Sequence, residues 1–179
     1  MTDAGLVLRS FDADEEAVLQ ALLESDSGYT ERVTGLPPGP SDALSLLLGR
    51  PEALSEDDKL VLGAWDGDQL VGVVDLLLRY PDEQTVFIGL LLVHGQRQGE
   101  GLGRAVLTAV ERWAGSWGWA RRMRLAVVRT NSGVSGFWEH LGYAPTGEVR
   151  PYRYAGLESE SVLYDKPVGD DRAAGGAPG

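Results

Sequence analysis

The chain has 179 residues, a length that suits one domain, and 16 Lys and Arg against 27 Asp and Glu leave a formal charge of −11. That balance removes the basic surface a phosphate-coating nucleic-acid binder needs and sets the chain against anionic membranes, so neither nucleic acid nor membrane is an expected partner. Without cysteine, and with only His94 and His140, disulfides, thiolate zinc sites and cysteine nucleophiles are excluded and no metal centre is expected.

Met1 to Gly5 carries no basic segment leading into an apolar one, and the apolar runs, Leu76–Leu78 and Leu90–Val93 among them, fall far short of a membrane span. The expectation is a soluble, cytoplasmic protein whose acidic surface suits a cationic or amine substrate better than an anionic one. Val7-Leu8-Arg9 reads as a first strand, and Asp14–Leu23, with Ala17, Val18, Ala21 and Leu22 at helical spacing, as a first helix. Gly35-Leu36-Pro37-Pro38-Gly39-Pro40 breaks the chain before a helix capped by Ser41, with Leu44, Leu47 and Leu48 on its apolar face. Leu60–Trp65 and Leu70–Leu78 flank Asp66-Gly67-Asp68, a hairpin signal. Tyr80-Pro81-Asp82-Glu83 turns the chain into a third strand, Thr85–Val93.

A glycine-rich segment follows, then a helix with Leu102, Val106, Val110, Trp113 and Trp117 at helical period and a strand over Arg122–Val128. Thr130-Asn131-Ser132 offers a cap for a short helix carrying Val134, Phe137, Trp138 and Leu141, with Gly142 at its C-terminal end. Two late strands, Glu148–Tyr154 and Ser161–Tyr164, complete a single domain over residues 1–167. These strands are also where two copies would pair if the protein is a homodimer. Residues 168–179 are too poor in apolar surface to order themselves and are expected to be a disordered tail.

A strand entering a glycine-rich turn and then a helix offers free backbone N–H groups at the positive end of a helix dipole, which is an anion site. In Gln98-Gly99-Glu100-Gly101-Leu102-Gly103-Arg104 the glycines alternate with single residues, so neither the G-x-G-x-x-G dinucleotide fingerprint nor a Walker loop ending in Gly-Lys-Ser/Thr is present. What remains, Gln98-x-x-Gly101-x-Gly103 after a meander and before a helix, resembles the Q/R-x-x-G-x-G/A loop of the GNAT superfamily of N-acetyltransferases. Asn131 and the run Phe137-Trp138-Glu139-His140-Leu141-Gly142-Tyr143 are similar to that family's later N-x-x-A-x-x-F-Y-x-x-x-G-F segment.

The resemblance implies an α/β fold of the α+β type. Its mixed sheet is mostly antiparallel, with one parallel pair at the cofactor cleft and helices on its flanks. It implies acetyl-CoA as cosubstrate, with the pyrophosphate on the loop formed by Gln98, Gly99, Gly101, Leu102, Gly103 and Arg104. The pantetheine arm would lie along the backbone of Leu91, Leu92 and Val93, a backbone amide near Leu92 would polarise the thioester carbonyl, and Asn131 would complete the set. The implied reaction is direct transfer of an acetyl group, in a ternary complex, to a primary amine of a small molecule or peptide. A non-catalytic acyl-CoA sensor or scaffold is the alternative, and two departures motivate it. Where the family commonly has the tyrosine that protonates the thiolate, this chain has Trp138, whose indole is no useful acid, and strand Thr85–Val93 carries no carboxylate. An alkylamine with a pKa of about 10 calls for a base. Asp75, in the apolar run Val73–Leu77, is the candidate if it faces inward, and a solvated strand residue if it faces out. Asp82 and Glu83 are runners-up. Arg97 and Arg104 bracket the loop and are candidate phosphate contacts, whereas Arg121, Arg122 and Arg124 read as a solvated edge, and Tyr143 as a core residue.

Overall fold

Apolar strand segments and amphipathic helical segments alternate along the chain, and the computed structural model, which describes residues 5–169, arranges them around one sheet. The strands are β1 (Val7–Ser10), β2 (Lys59–Asp66), β3 (Gln69–Leu78), β4 (Thr85–Val93), β5 (Arg122–Val128), β6 (Ala144–Tyr154) and β7 (Leu157–Pro167). Their order across the sheet is β1-β2-β3-β4-β5-β7-β6, and every neighbouring pair is antiparallel except β4 and β5. The helices are α1 (Glu16–Glu24), α2 (Ser27–Thr34), α3 (Asp42–Leu48), α4 (Leu102–Ser116) and α5 (Ser135–His140). The expected mixed, mostly antiparallel sheet with one parallel pair is the one observed.

Both faces of the central strands are covered, which is why β3 is a nearly unbroken apolar run rather than an alternating one. On one face Leu62, Val71, Val74, Leu76, Val86 and Ile88 pack against the stripe Leu102, Val106, Leu107, Val110 and Ala114 of α4. On the other, Val61, Trp65, Leu70, Val73 and Leu92 meet Leu19, Leu22 and Leu23 of α1 and Ala43 of α3.

Several local expectations are corrected by packing. Ser41 precedes α3 but its side chain caps nothing; Gln20 Oε1 accepts from the Ala43 amide (3.0 Å) and Asp42 Oδ2 from Gly39 (2.9 Å). Ala43 is the buried residue of that helix, and Leu44 and Leu48, expected inside, are 42% and 63% exposed. The segment Thr130-Asn131-Ser132 caps no helix. It lies within a 3-10 stretch, Arg129–Val134, that runs into α5 without a side-chain cap. The late strands are longer than read, because Ala155 and Gly156 both take positive φ and close a tight hairpin between β6 and β7. Val168, assigned to the tail, still donates its amide to Arg121 O (2.9 Å) and packs on the core, and the rest of the tail from residue 170 lies outside the described residues.

Candidate active site

The parallel pairing of β4 with β5 lasts only from Thr85 opposite Arg122 to Ile88 opposite Leu125. Beyond that point the strands part. The cause lies on the other side of β4: Asp75 pairs with Leu90 and Leu76 with Ile88, so Gly89 is an extra, bulged residue that turns the strand. Past the bulge, the edge of β4 that faced β5 is unpaired, and a wedge opens between Gly89–Val93 and Ala126–Val128.

Two cavities occupy this wedge. The larger, about 530 Å³, lies over the glycine loop and is lined by Leu91, Leu92, Val93, Gln98, Gly99, Gly101, Leu102, Gly103 and Arg104, so that nine of the ten residues assigned to the donor come together. Gly99 and Gly101 hold φ of +84° and +82°, a region costly for any residue with a side chain, and Gly101 opens α4. No side chain caps α4, so the first amide groups of the helix are left for a ligand. Gly103 lets the chain pass the Phe137 ring, which a β-carbon there would approach to 3.3 Å. The two arginines bracketing the loop are not equivalent. Arg97 is held by Glu100 (2.7 Å) and Asp66 (3.3 Å), whereas Arg104 makes no ion pair among the described residues.

The smaller cavity, about 290 Å³, lies deeper at the divergence and includes Asn131, the tenth residue. Its walls come from Phe87–Leu91, Leu125–Val128, Val134, Phe137, Trp138, Tyr29, Val33, Tyr152, Asn131 and Ser161; no charged side chain lines it among the described residues. The Asn131 amide oxygen accepts from Arg32 Nε (2.7 Å) instead of capping a helix.

Helix α2, not expected from the sequence, spans the mouth of the wedge. At one end Asp26 Oδ2 accepts from Gln98 Nε2 (2.8 Å) and Ser25 Oγ from the Gly95 amide (3.0 Å). At the other end Arg32 holds Asn131, and the Thr130 hydroxyl donates to Arg32 O. Asp26, Tyr29 and Arg32 thereby enter the larger cavity, and none was singled out from the sequence. The segment SGYTERVT has no apolar stripe; the available signal was its punctuation, Asp26 as N-cap and Gly35 (φ +75°) as left-handed C-cap.

Asp75 faces inward on the α1 and α3 side, is 6% exposed, and accepts from Lys59 Nζ at 2.8 Å. Burial pushes its carboxyl up, and Lys59 opposes that shift. It lines neither cavity directly, but its Oδ2 fills the place where a Gly89 side chain would stand, against the cavity wall. Asp82 accepts from Thr85, the Gln84 amide and Arg122, which lower its carboxyl, and it sits at the N-terminal end of β4, remote from the loop. Arg122 and Arg124 are not a free edge: Arg122 bonds Thr85 and Asp82, and Arg124 grips Asp165 through two bonds of 2.6 and 2.8 Å. Trp138 is buried edge-on against Phe137 and Tyr143. The Tyr143 hydroxyl donates to Glu111 (3.0 Å) in the core, and His94 accepts from the Gln96 amide.

An uncapped helix start with an unpaired arginine, continuous with an uncharged wedge edged by free strand amides, fits a ligand that is anionic at one end and amide-bearing and apolar at the other. The model of the Acetyltransferase (GNAT) family matches residues 20–143, and the chain belongs to that family of acetyltransferases. Among solved structures it is similar to a spermidine N-acetyltransferase from Vibrio cholerae in complex with CoA and spermine, 15% identical over 93% of this chain and 97% of that one, TM-score 0.71. An acetyltransferase from Thermus thermophilus is 22% identical over 93% and 99%, TM-score 0.67. NAA60 of Arabidopsis thaliana, in complex with a bisubstrate analogue, is 14% identical over 90% and 97%, TM-score 0.64. At these identities the likeness is one of fold. No curated protein matches in sequence.

Proposed function

We propose that the protein transfers an acetyl group from acetyl-CoA to a primary amine borne on a small, uncharged, largely apolar body. The observation that carries this is the continuity of the two cavities at the divergence of β4 and β5: an anion cradle at one end leads into an apolar, uncharged chamber at the other. The donor, when bound, supplies an activated acyl group.

The chain's own residues do the rest. The amides of Gly101–Arg104 and the Arg104 guanidinium would hold the phosphates, and the unpaired edge of Leu91–Val93 would fix the arm and polarise the carbonyl. Asp75 is the proposed proton acceptor for the amine, reached past Gly89 where no side chain intervenes, its burial lifting it toward useful basicity. Among the described residues no charged side chain lines the acceptor chamber, so the amine expected from the net charge is retained without a second cationic group.

Thermal unfolding with acetyl-CoA, CoA, NADH and ATP tests the donor site. A ligand at 100 times its Kd adds about 2.7 kcal/mol, which moves the midpoint by roughly 5–11 °C at this size. A shift with the two CoA species alone supports the reading; a shift with NADH or ATP, or with none, overturns it. Thiol release with a panel of amines then tests transfer, and tight CoA binding with no turnover on any amine would support the sensor alternative.

A further inference from the structure

We propose that Tyr29 of α2 is the proton donor to the sulfur that departs in this reaction, an inference that rests on the acetyl-transfer reading above. The donor's arm enters through one cavity and the amine occupies the other, so the reacting carbonyl and its sulfur lie where the two meet. Four residues line both cavities: Tyr29, Leu91, Val134 and Phe137. Of these only Tyr29 carries a side-chain proton donor.

The other candidates are spent or misplaced. Tyr152 donates its hydroxyl to Val33 O (2.6 Å), Tyr143 to Glu111 beneath the sheet, and Asn131 and Ser161 line the acceptor cavity only. The Tyr29 hydroxyl makes no hydrogen bond among the described residues. Its ring packs against the core cluster that includes Leu19, Leu22 and Leu92, and its backbone is fixed because α2 is fastened at both ends, to Gln98 and Gly95 on one side and to Asn131 and Thr130 on the other. Burial pushes the hydroxyl up to about 12, so it stays protonated across the working range. The same apolar walls make a bare thiolate costly, so the sulfur's need for a proton rises in the same place.

The step balances without a further reactant. The amine nitrogen bonds to the acetyl carbon and gives up one proton to the base, the carbon–sulfur bond breaks with its electron pair on sulfur, and the Tyr29 proton passes to that sulfur as the free thiol forms. Water returns a proton to the tyrosinate. Trp138 cannot serve this end, and it lines the smaller cavity only, whereas Tyr29 lines both.

Tyr29→Phe keeps the ring and removes only the hydroxyl. CoA affinity and the melting midpoint should be unchanged, and kcat with acetyl-CoA should fall about 100-fold. With an acetyl aryl thioester, whose thiolate leaves without protonation, the loss should shrink to about threefold or less. Independently of turnover, the thiol of bound CoA, followed by thiolate absorbance, should ionise about one pH unit higher in the variant, because the hydroxyl no longer donates to the thiolate. Identical thiol titrations in the two proteins, or equal losses with both donors, would overturn the assignment. A wild-type protein that binds neither CoA nor acetyl-CoA would instead bring down the acetyl-transfer reading itself.

Discussion

At the scale of single residues, Lys59–Asp75 is the most deeply buried ion pair among the described residues, with side chains 6% and 9% exposed and 2.8 Å apart. Removing one partner of such a pair leaves an uncompensated charge, so Lys59→Met should cost about 3–5 kcal/mol at neutral pH. Asp75 is already raised by burial, and without Lys59 it rises further. The folded variant then holds its proton to higher pH than the unfolded chain does, so its stability declines as pH climbs from the ordinary carboxyl range toward the folded value. Urea unfolding at pH 5 and pH 8 checks this: the deficit should be smaller at pH 5. Glu15 shows the opposite sign. Two hydrogen bonds from Arg9 lower its carboxyl to about 2, so its contribution is present above pH 4.5 and is lost as pH falls toward 2. Melting curves from pH 5 to 2.5 should fall less steeply in Arg9→Gln than in the wild type. Asp75 itself was legible in sequence as a carboxylate within an apolar run; that its partner would be Lys59, sixteen residues earlier on a neighbouring strand, was not.

At the scale of elements, the glycine loop and α2 make the site between them. Gly101 sits at φ +82° in a cavity wall, so Gly101→Val should weaken acetyl-CoA binding at least about tenfold, through backbone strain and blocked amides, in a calorimetric titration. Gly95 is required for a different reason: a β-carbon there would lie 2.2 Å from Ser25 O, where the chain passes under the start of α2. Gly95→Ala should therefore displace α2 and expose the wedge, read as faster amide exchange over residues 27–34. The loop was readable because its glycine spacing and the helix after it are local in sequence. Helix α2 was not, because it is polar and short and is held by contacts with Gln98 and Asn131, about 70 and 100 residues away. The same reason explains Ser41 and Asn131, whose capping roles pass to or are overridden by partners distant in sequence.

At the scale of the whole molecule, the charge of −11 stands apart from the smaller cavity, the proposed acceptor chamber, which no charged side chain lines among the described residues. The acidic surface can gather cationic amines near the wedge, but among the described residues no carboxylate lines the chamber to pair with a second cation. An arylalkylamine should exceed spermidine in kcat/KM by about tenfold or more, since an unpaired second ammonium would have to be desolvated. Raising the ionic strength should lower kcat/KM for both amines modestly by screening the surface field.

The sequence by itself determined the strand meander, the glycine loop and its helix, the family, and nine residues that come to line one cavity over that loop, because these follow from turn chemistry, periodicity and spacing within short windows. Only the tertiary structure decided that Asp75 lies buried behind Gly89, that Arg122 and Arg124 tie strands together, and that α2 brings Tyr29 to the meeting of two cavities. Those outcomes depend on the bulge in β4 and on contacts across the sheet, which bring together residues far apart in the chain and leave no local pattern to read.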